Sequence, residues 1–473
     1  MSEITRVLAV PAFGAHYYAD LAALQDSPIP LAEQYTACPV SPGFRAVREV
    51  AEAVSVGLIL SDGRVAWGDC VAVAYSGKAG RDPVFRTADG LGTIHRKIAP
   101  ALEGREVTSF REMAAEIGML TRRTRVPKPG RTESNDSEDA DRRGLSRRDL
   151  LTAPLRLFRD GDAEAKAPEA GQTTSVEHII VERPLHTAVR YGVSHALLKA
   201  VALTRGVTMA EVIAEEWNLP QPGRPVPIHA QSGGRRRENA DKMIARRVAS
   251  LPHALVEDIP QQLGEDGEQL VSYVRWLKTR IAELGGDEYR PAIHLDVHGA
   301  LGRIYENNVG RILGYLYRLE SWVQPYTLRV ESPVIAESRA AQIETLKTLR
   351  EYIQFRSMAV QIVADEWANT LEDIRAFIQA QAVDMIQIKM PDLGGVHNSV
   401  DAVMACKEGG VGAFLGGSCA ETDLSARVAV HVALATQPDM IMAKPGMGVD
   451  EGISIVQNEM TRTLAEIKML EGH

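Results

Sequence analysis

Three short apolar runs of the sequence each end in an acid: Asp296 in IHLDVHG, Glu331 in LRVESP and Asp365 in IVADEW. Spacings of roughly 35 residues correspond to one long strand–helix repeat each. A carboxylate at the end of an apolar run is costly to bury unless it is paired or holds a metal. Any one of the three reads as a salt-bridged structural residue. All three in register, at the ends of neighbouring parallel strands, read as oxygen ligands for a hard cation such as Mg²⁺. Glu366, adjacent to Asp365, should by strand alternation point to the opposite side.

Lys389 closes the next run, MIQIKMP. A lysine there is either an end-of-strand residue that snorkels to solvent or a functional amine. Beside a dication its ammonium form is disfavoured, which moves it towards base competence; with the carboxylates in place, the catalytic reading is preferred. Gln387 lies two residues earlier on the same face, where it could orient a substrate carboxylate, and Gln231 in HAQSGG could donate its amide to a substrate. Three histidines compete for a further acid or ligand role. His253 stands at the start of a run, whereas His294 and His298 share the face of Asp296, and periodicity does not choose among them. The glycine pairs in DLGG, FLGGSC and KPGMG follow β-rich runs, where a backbone must turn or approach a ligand closely. None matches a phosphate-loop or dinucleotide fingerprint. The backbone amides of Ser418 and Cys419 could cap a carboxylate; Cys419 as a nucleophile is the weaker reading, because no histidine is locally paired with it.

The elements that must position these groups follow a βα alternation after the helical stretch LHTAVRYGVSHALLKAVALTRG. Eight strands are expected at 226–231, 253–258, 292–297, 326–332, 360–366, 385–391, 412–417 and 440–446. The fold class is α/β: a C-terminal (β/α)8 TIM-type barrel over 175–473 with an N-terminal α+β capping domain over 1–121. An open doubly wound sheet is the competing architecture. Within the N-terminal part, two β-rich runs meet at Ser61-Asp62-Gly63, a tight-turn sequence, and a helical stretch with a proline break follows. Residues 122–174 are rich in charge, Pro, Gly and Ser; they read as a polar insertion, largely disordered, to which no chemistry is assigned.

Of the 473 residues, 45% are hydrophobic and 24% charged, an ordinary globular mixture. The net charge of -9 argues against a nucleic-acid binder. No run is long enough for a membrane span and the N-terminus lacks a signal-peptide pattern, so the expected location is the cytoplasm. The four cysteines are widely separated, with no CxxC pair, and suggest neither a zinc site nor a disulfide framework.

Outside 122–174, the stretches HAQSG, SLPHAL, HLDVHG, VADEW, IQIKMPDLGGVHN, GGSCAET and AKPGMGVDEG together resemble the methylaspartate ammonia-lyase family of the enolase superfamily. That resemblance implies cleavage of (2S,3S)-3-methylaspartate to mesaconate and ammonia by a cytoplasmic homodimer using Mg²⁺ and a monovalent cation, normally K⁺. It implies Asp296, Glu331 and Asp365 as metal ligands and Lys389 as the base for the C3 proton. His253 becomes the partner on the opposite side, serving the epimeric proton. Gln231, Gln387, Ser418 and Cys419 become substrate-binding positions. Two positions depart from the family: Ala74 stands where glutamine is usual, near the substrate amine, and Met442 where leucine is usual. The missing amide suggests a pocket open to a bulkier amine or an altered 3-substituent. An amino-acid epimerase on the same scaffold is the nearest alternative reaction, and a non-enzymatic scaffold would be expected to have lost the acids or the lysine.

Overall fold

The computed structural model describes residues 2–26, 29–77, 79–127, 178–418, 420–444 and 446–471. Cys419 and most of the expected insertion therefore lie outside the described residues. The N-terminal sheet consists of β1 (Glu3–Ala19), β2 (Arg48–Leu60), β3 (Val65–Cys70) and β4 (Arg105–Glu106) in the order β3-β2-β1-β4. The hairpin between β2 and β3 turns where Asp-Gly predicts, with Gly63 at φ 86° and its N–H donating to Leu60 O at 2.9 Å. β1 is the strand that the sequence hides, because Pro11 interrupts it. Its partner β4 reaches only Glu3 and Ile4, so at Pro11 the outer side of β1 is an edge, where a missing N–H costs no ladder bond. Thr121–Pro127 (β5) and His178–Pro184 (β6) form a two-stranded ribbon of their own.

The long helix Thr187–Arg205 begins on His186, whose ring Nδ1 accepts from Ala188 N at 3.1 Å, and ends at Gly206 in a left-handed turn. It lies directly on β3. A Cβ on Gly192 would come within 2.4 Å of Cys70 N, and one on Gly68 within 2.3 Å of Gly192 O, so both glycines are needed for this approach.

Eight parallel strands then close into a barrel: β7 (Ile228–Ala230), β8 (Ser250–His253), β9 (Ala292–Asp296), β10 (Leu328–Glu331), β11 (Val360–Ala364), β12 (Met385–Ile388), β13 (Gly412–Leu415) and β14 (Met440–Ala443). The closed order excludes the open sheet. One strand is displaced from its expected place. β8 stops at His253 instead of starting there, because His253 and Ala254 adopt left-handed backbone at φ 63° and 49°. His253 is thereby moved from the bottom of a strand to the active end of the barrel. Among the described residues, no helix is long and apolar enough to cross a membrane.

The cap and barrel share polar ties as well as packing. Asp69 of β3 accepts from Ser55 Oγ at 2.6 Å and from Thr422 Oγ1, at the start of a barrel helix, at 2.5 Å. Replacing Gly192 with alanine is expected to overpack the helix–sheet contact and cost about 1–3 kcal/mol. Urea unfolding of the purified protein checks this; an unshifted midpoint would show that the two elements can separate freely.

Candidate active site at the strand ends

Strand register brings the acids together. Glu331 pairs with Asp296 across β9 and β10 and with Val363 across β10 and β11, two residues before Asp365. All three carboxylates are buried. Donor atoms of His253, Asp296 and Glu331 lie within 4.8 Å of one another, and so do those of Asp296, His298 and Asp365, making Asp296 common to both groups. The chain leaves each of these strands through strained backbone. His298, Ser332 and Trp367, one or two residues past the three acids, have φ of 44°, 46° and 67° without being glycine.

Each acid has a different set of partners. Glu331 is surrounded by neutral donors: His294 Nε2 lies 2.7 Å from Oε2, and Gln387 Nε2 makes a short bond to Oε1. Burial drives His294 well below its ordinary pKa, so the ring is neutral and gives Glu331 a hydrogen bond without a full charge. Burial pushes Glu331 well above the carboxylate range, and the charges of Asp296 and Asp365 push it further. Asp296 is also penalised by burial, but His253, 3.4 Å away, with His298 and Lys389, brings it below its usual value. His298 N donates to Asp296 Oδ1 at 3.0 Å.

Asp365 faces cations. Lys389, just past β12, places Nζ 2.6 Å from Asp365 Oδ2, and Arg81 of the cap approaches Asp365 Oδ1 at 3.7 Å. Burial disfavours the Lys389 ammonium, yet Asp365, aided by Glu366 and Asp392, holds its pKa above the ordinary lysine value. The carboxylates alone thus favour the protonated lysine, opposite to the effect expected of a dication beside it. Glu366 does not turn away as alternation predicts, since regular pairing ends at Ala364. It is buried, and although burial opposes its charge, Arg81 Nη1 at 2.6 Å brings it down to about 2.

These groups line a cavity of about 30 Å³ whose wall includes Ala74, Gln231, His253, Asp296, Asp365, Gln387, Lys389, Ser418 and Met442. Glu331 lies beneath it, reached through His253 and Gln387. All the described candidates are therefore brought to one place; Cys419 lies outside the described residues. A second space of about 420 Å³ adjoins it and shares Ala74, Tyr75, Gln231 and Leu255 as walls. The cap loop docks here, with Ala74 N donating to Ser418 O at 3.0 Å and Tyr75 Oη to Glu257 at 2.9 Å.

Sequence reasoning overlooked Arg81, an unremarkable loop cation in AGRDP, and His229, whose ring lies 3.3 Å from His253 Nδ1 and 2.9 Å from Ser250 Oγ. His229 sits two residues before Gln231, so strand alternation could have placed it on the same inward face.

The residues fit a divalent cation. Three carboxylates crowd together, and Asp365 Oδ1 and Gln387 Oε1 are buried with no hydrogen-bond partner among the described residues. Hard oxygen donors at this density suit Mg²⁺.

A family model described as the methylaspartate ammonia-lyase N-terminus matches residues 2–153 and 156–218, and one described as its C-terminus matches residues 221–469. Methylaspartate ammonia-lyase 2 of Carboxydothermus hydrogenoformans is 43% identical over 470 residues, covering 99% of this chain and 100% of that one. The Citrobacter amalonaticus methylaspartate ammonia lyase structure containing (2S,3S)-3-methylaspartic acid aligns at TM-score 0.82 and 38% identity, covering 98% of this chain and 100% of the other. The Mg-complex of β-methylaspartase from Clostridium tetanomorphum aligns at TM-score 0.80 and 38% identity over 99% of each chain.

Replacing His294 with leucine removes a buried donor from Glu331 and is expected to destabilise the metal-free protein by about 1–3 kcal/mol. Chemical denaturation in chelator measures this. An unchanged midpoint would mean that Glu331 does not depend on that hydrogen bond.

Proposed function

The chain belongs to the methylaspartate ammonia-lyase family of the enolase superfamily, and from that premise we infer that its barrel face removes the C3 proton of (2S,3S)-3-methylaspartate and expels ammonia to give mesaconate. The observation that carries the residue assignment is the Lys389–Asp365 contact of 2.6 Å on the wall of the cavity that also holds Asp296 and His253.

In this reading Asp296, Glu331 and Asp365 hold Mg²⁺. When bound, the cation would supply positive charge opposite the substrate carboxylate that gains charge as C3 is deprotonated, and its charge beside Lys389 would favour the neutral amine. Lys389 Nζ, as the neutral amine, takes the C3 proton. The electron pair left at C3 forms the double bond to C2 as the C2–N bond breaks; the substrate nitrogen, carried as ammonium, takes the C2–N bonding pair and departs as neutral ammonia. His253, on another wall of the same cavity, serves the epimeric C3 proton. Gln231, Gln387, Ser418 and Cys419 bind substrate; Ser418 Oγ is buried and has no hydrogen-bond partner among the described residues, as suits a group that waits for a ligand. A K⁺ ion, a homodimer and a cytoplasmic location are proposed on the resemblance alone.

A second reading concerns substrate range. Ala74 lines both the reaction cavity and the larger space beside it, and its methyl group is too short to close the gap, while Met442 is an adaptable wall. We extend the proposal to aspartates with a bulkier amine or 3-substituent.

With Mg²⁺ and K⁺ supplied, 3-methylaspartate should produce the ultraviolet absorbance of a conjugated diacid, lost on chelation and reduced by about 10²–10⁴-fold in Lys389→Ala. Exchange of the C3 proton with solvent deuterium without any alkene would instead identify an epimerase. Ala74→Gln should suppress turnover of N-alkyl substrates while sparing methylaspartate; equal loss on both would remove the second reading.

A further inference from the structure

Arg81 comes from the cap, yet its guanidinium is buried among barrel acids. Nη1 lies 2.6 Å from Glu366, Nε lies 2.8 Å from Asp392, and Nη2 lies 3.7 Å from Asp365. Lys389 shares this neighbourhood. It is bonded to Asp365 and feels the fields of Glu366 and Asp392 as well. A lysine ends in a compact charge on a flexible four-carbon stem, which can follow whichever carboxylate is free. The arginine fork is rigid and always charged, and here it occupies two of the three acids.

We propose that Arg81 is a positioning residue for Lys389: by occupying Glu366 and Asp392 it denies the lysine those partners and leaves Asp365 as its one anchor. This rests on Lys389 being the base. Because Arg81 belongs to the loop that also supplies Ala74 and Tyr75, the lysine is fixed in place only when that loop is docked. The loop is tied down before Arg81 by Ala74 N to Ser418 O and by a short bond from Asn369 Nδ2 to Ala79 O, and after it by Thr187 N to Asp82 Oδ2 at 2.8 Å. Arg81 need not touch substrate to act in this way. Removing it would leave Glu366 with His298 Nδ1 at 3.5 Å and Asp392 without its arginine, and Lys389, which already feels both carboxylates, could swing towards them.

The test compares three Mg²⁺-loaded proteins: the parent, Arg81→Met, and the triple variant Arg81→Met/Glu366→Gln/Asp392→Asn. Arg81→Met should lower kcat by about 10²-fold, the scale of a misplaced catalytic group. KM should change by no more than about threefold, the pattern of an interaction felt in the reacting state. The deuterium isotope effect with C3-deuterated substrate should rise, and the Mg²⁺ Kd from calorimetry should stay near the parent value. The triple variant lacks the competing carboxylates, so its kcat should return to within about tenfold of the parent. A folded Arg81→Met protein of near-parental kcat would overturn the proposal. So would a triple variant that folds and binds Mg²⁺ but stays about 10²-fold below the parent, which decides the matter even if the single variant does not fold. Lys389→Ala is run in parallel: turnover surviving there would reject lysine as the base, a failure distinct from one confined to Arg81.

Discussion

Three carboxylates at the ends of adjacent strands, out of water, repel one another, and most of what is unusual around them answers that repulsion. Asp296, Glu331 and Asp365 are placed side by side by strand register alone. Their surroundings are graded. Glu331 receives neutral hydrogen-bond donors, Asp296 a histidine, and Asp365 a lysine with an arginine behind it. The gradient leaves Glu331 and Asp296 beside neutral and histidine donors and sets Asp365 beside the full positive charges of Lys389 and Arg81. Burying such a cluster is expensive, and the left-handed residues that follow the acids add further strain, which the rigid barrel holds in place.

The cap serves this constraint directly. Its sheet packs on a helix through paired glycines, Asp69 ties it to the barrel, and its loop delivers both a small wall residue, Ala74, and a buried cation, Arg81. A wall of the cavity and charge compensation for the acids therefore arrive on one segment. A change in how that loop docks alters the shape of the pocket and the electrostatics of the acids together.

Much of this was legible from residue pattern. The three acids and Lys389 end apolar runs at regular intervals, and a strand-end position on parallel neighbours fixes their relation. The legible part stops where the backbone leaves regular geometry. β8 was displaced because HALVED has strand-forming residues while the turn that ends the strand uses His253 and Ala254, neither of which advertises a left-handed conformation. The role of His253 came from family resemblance for the same reason. Glu366 was misdirected because alternation was carried two residues past the last paired one. Arg81 was invisible for another cause: its partners lie about three hundred residues away in sequence, and no local pattern marks a surface-type residue as buried.

Calorimetric titration of the metal-free protein with Mg²⁺ decides whether the three carboxylates form one divalent-cation site. One ion per chain should bind to the parent, and binding should be lost or greatly weakened in each of Asp296→Asn, Glu331→Gln and Asp365→Asn. Parent-like affinity in all three folded variants would contradict the account, leaving the acids as structural charges and the cation, if any, elsewhere.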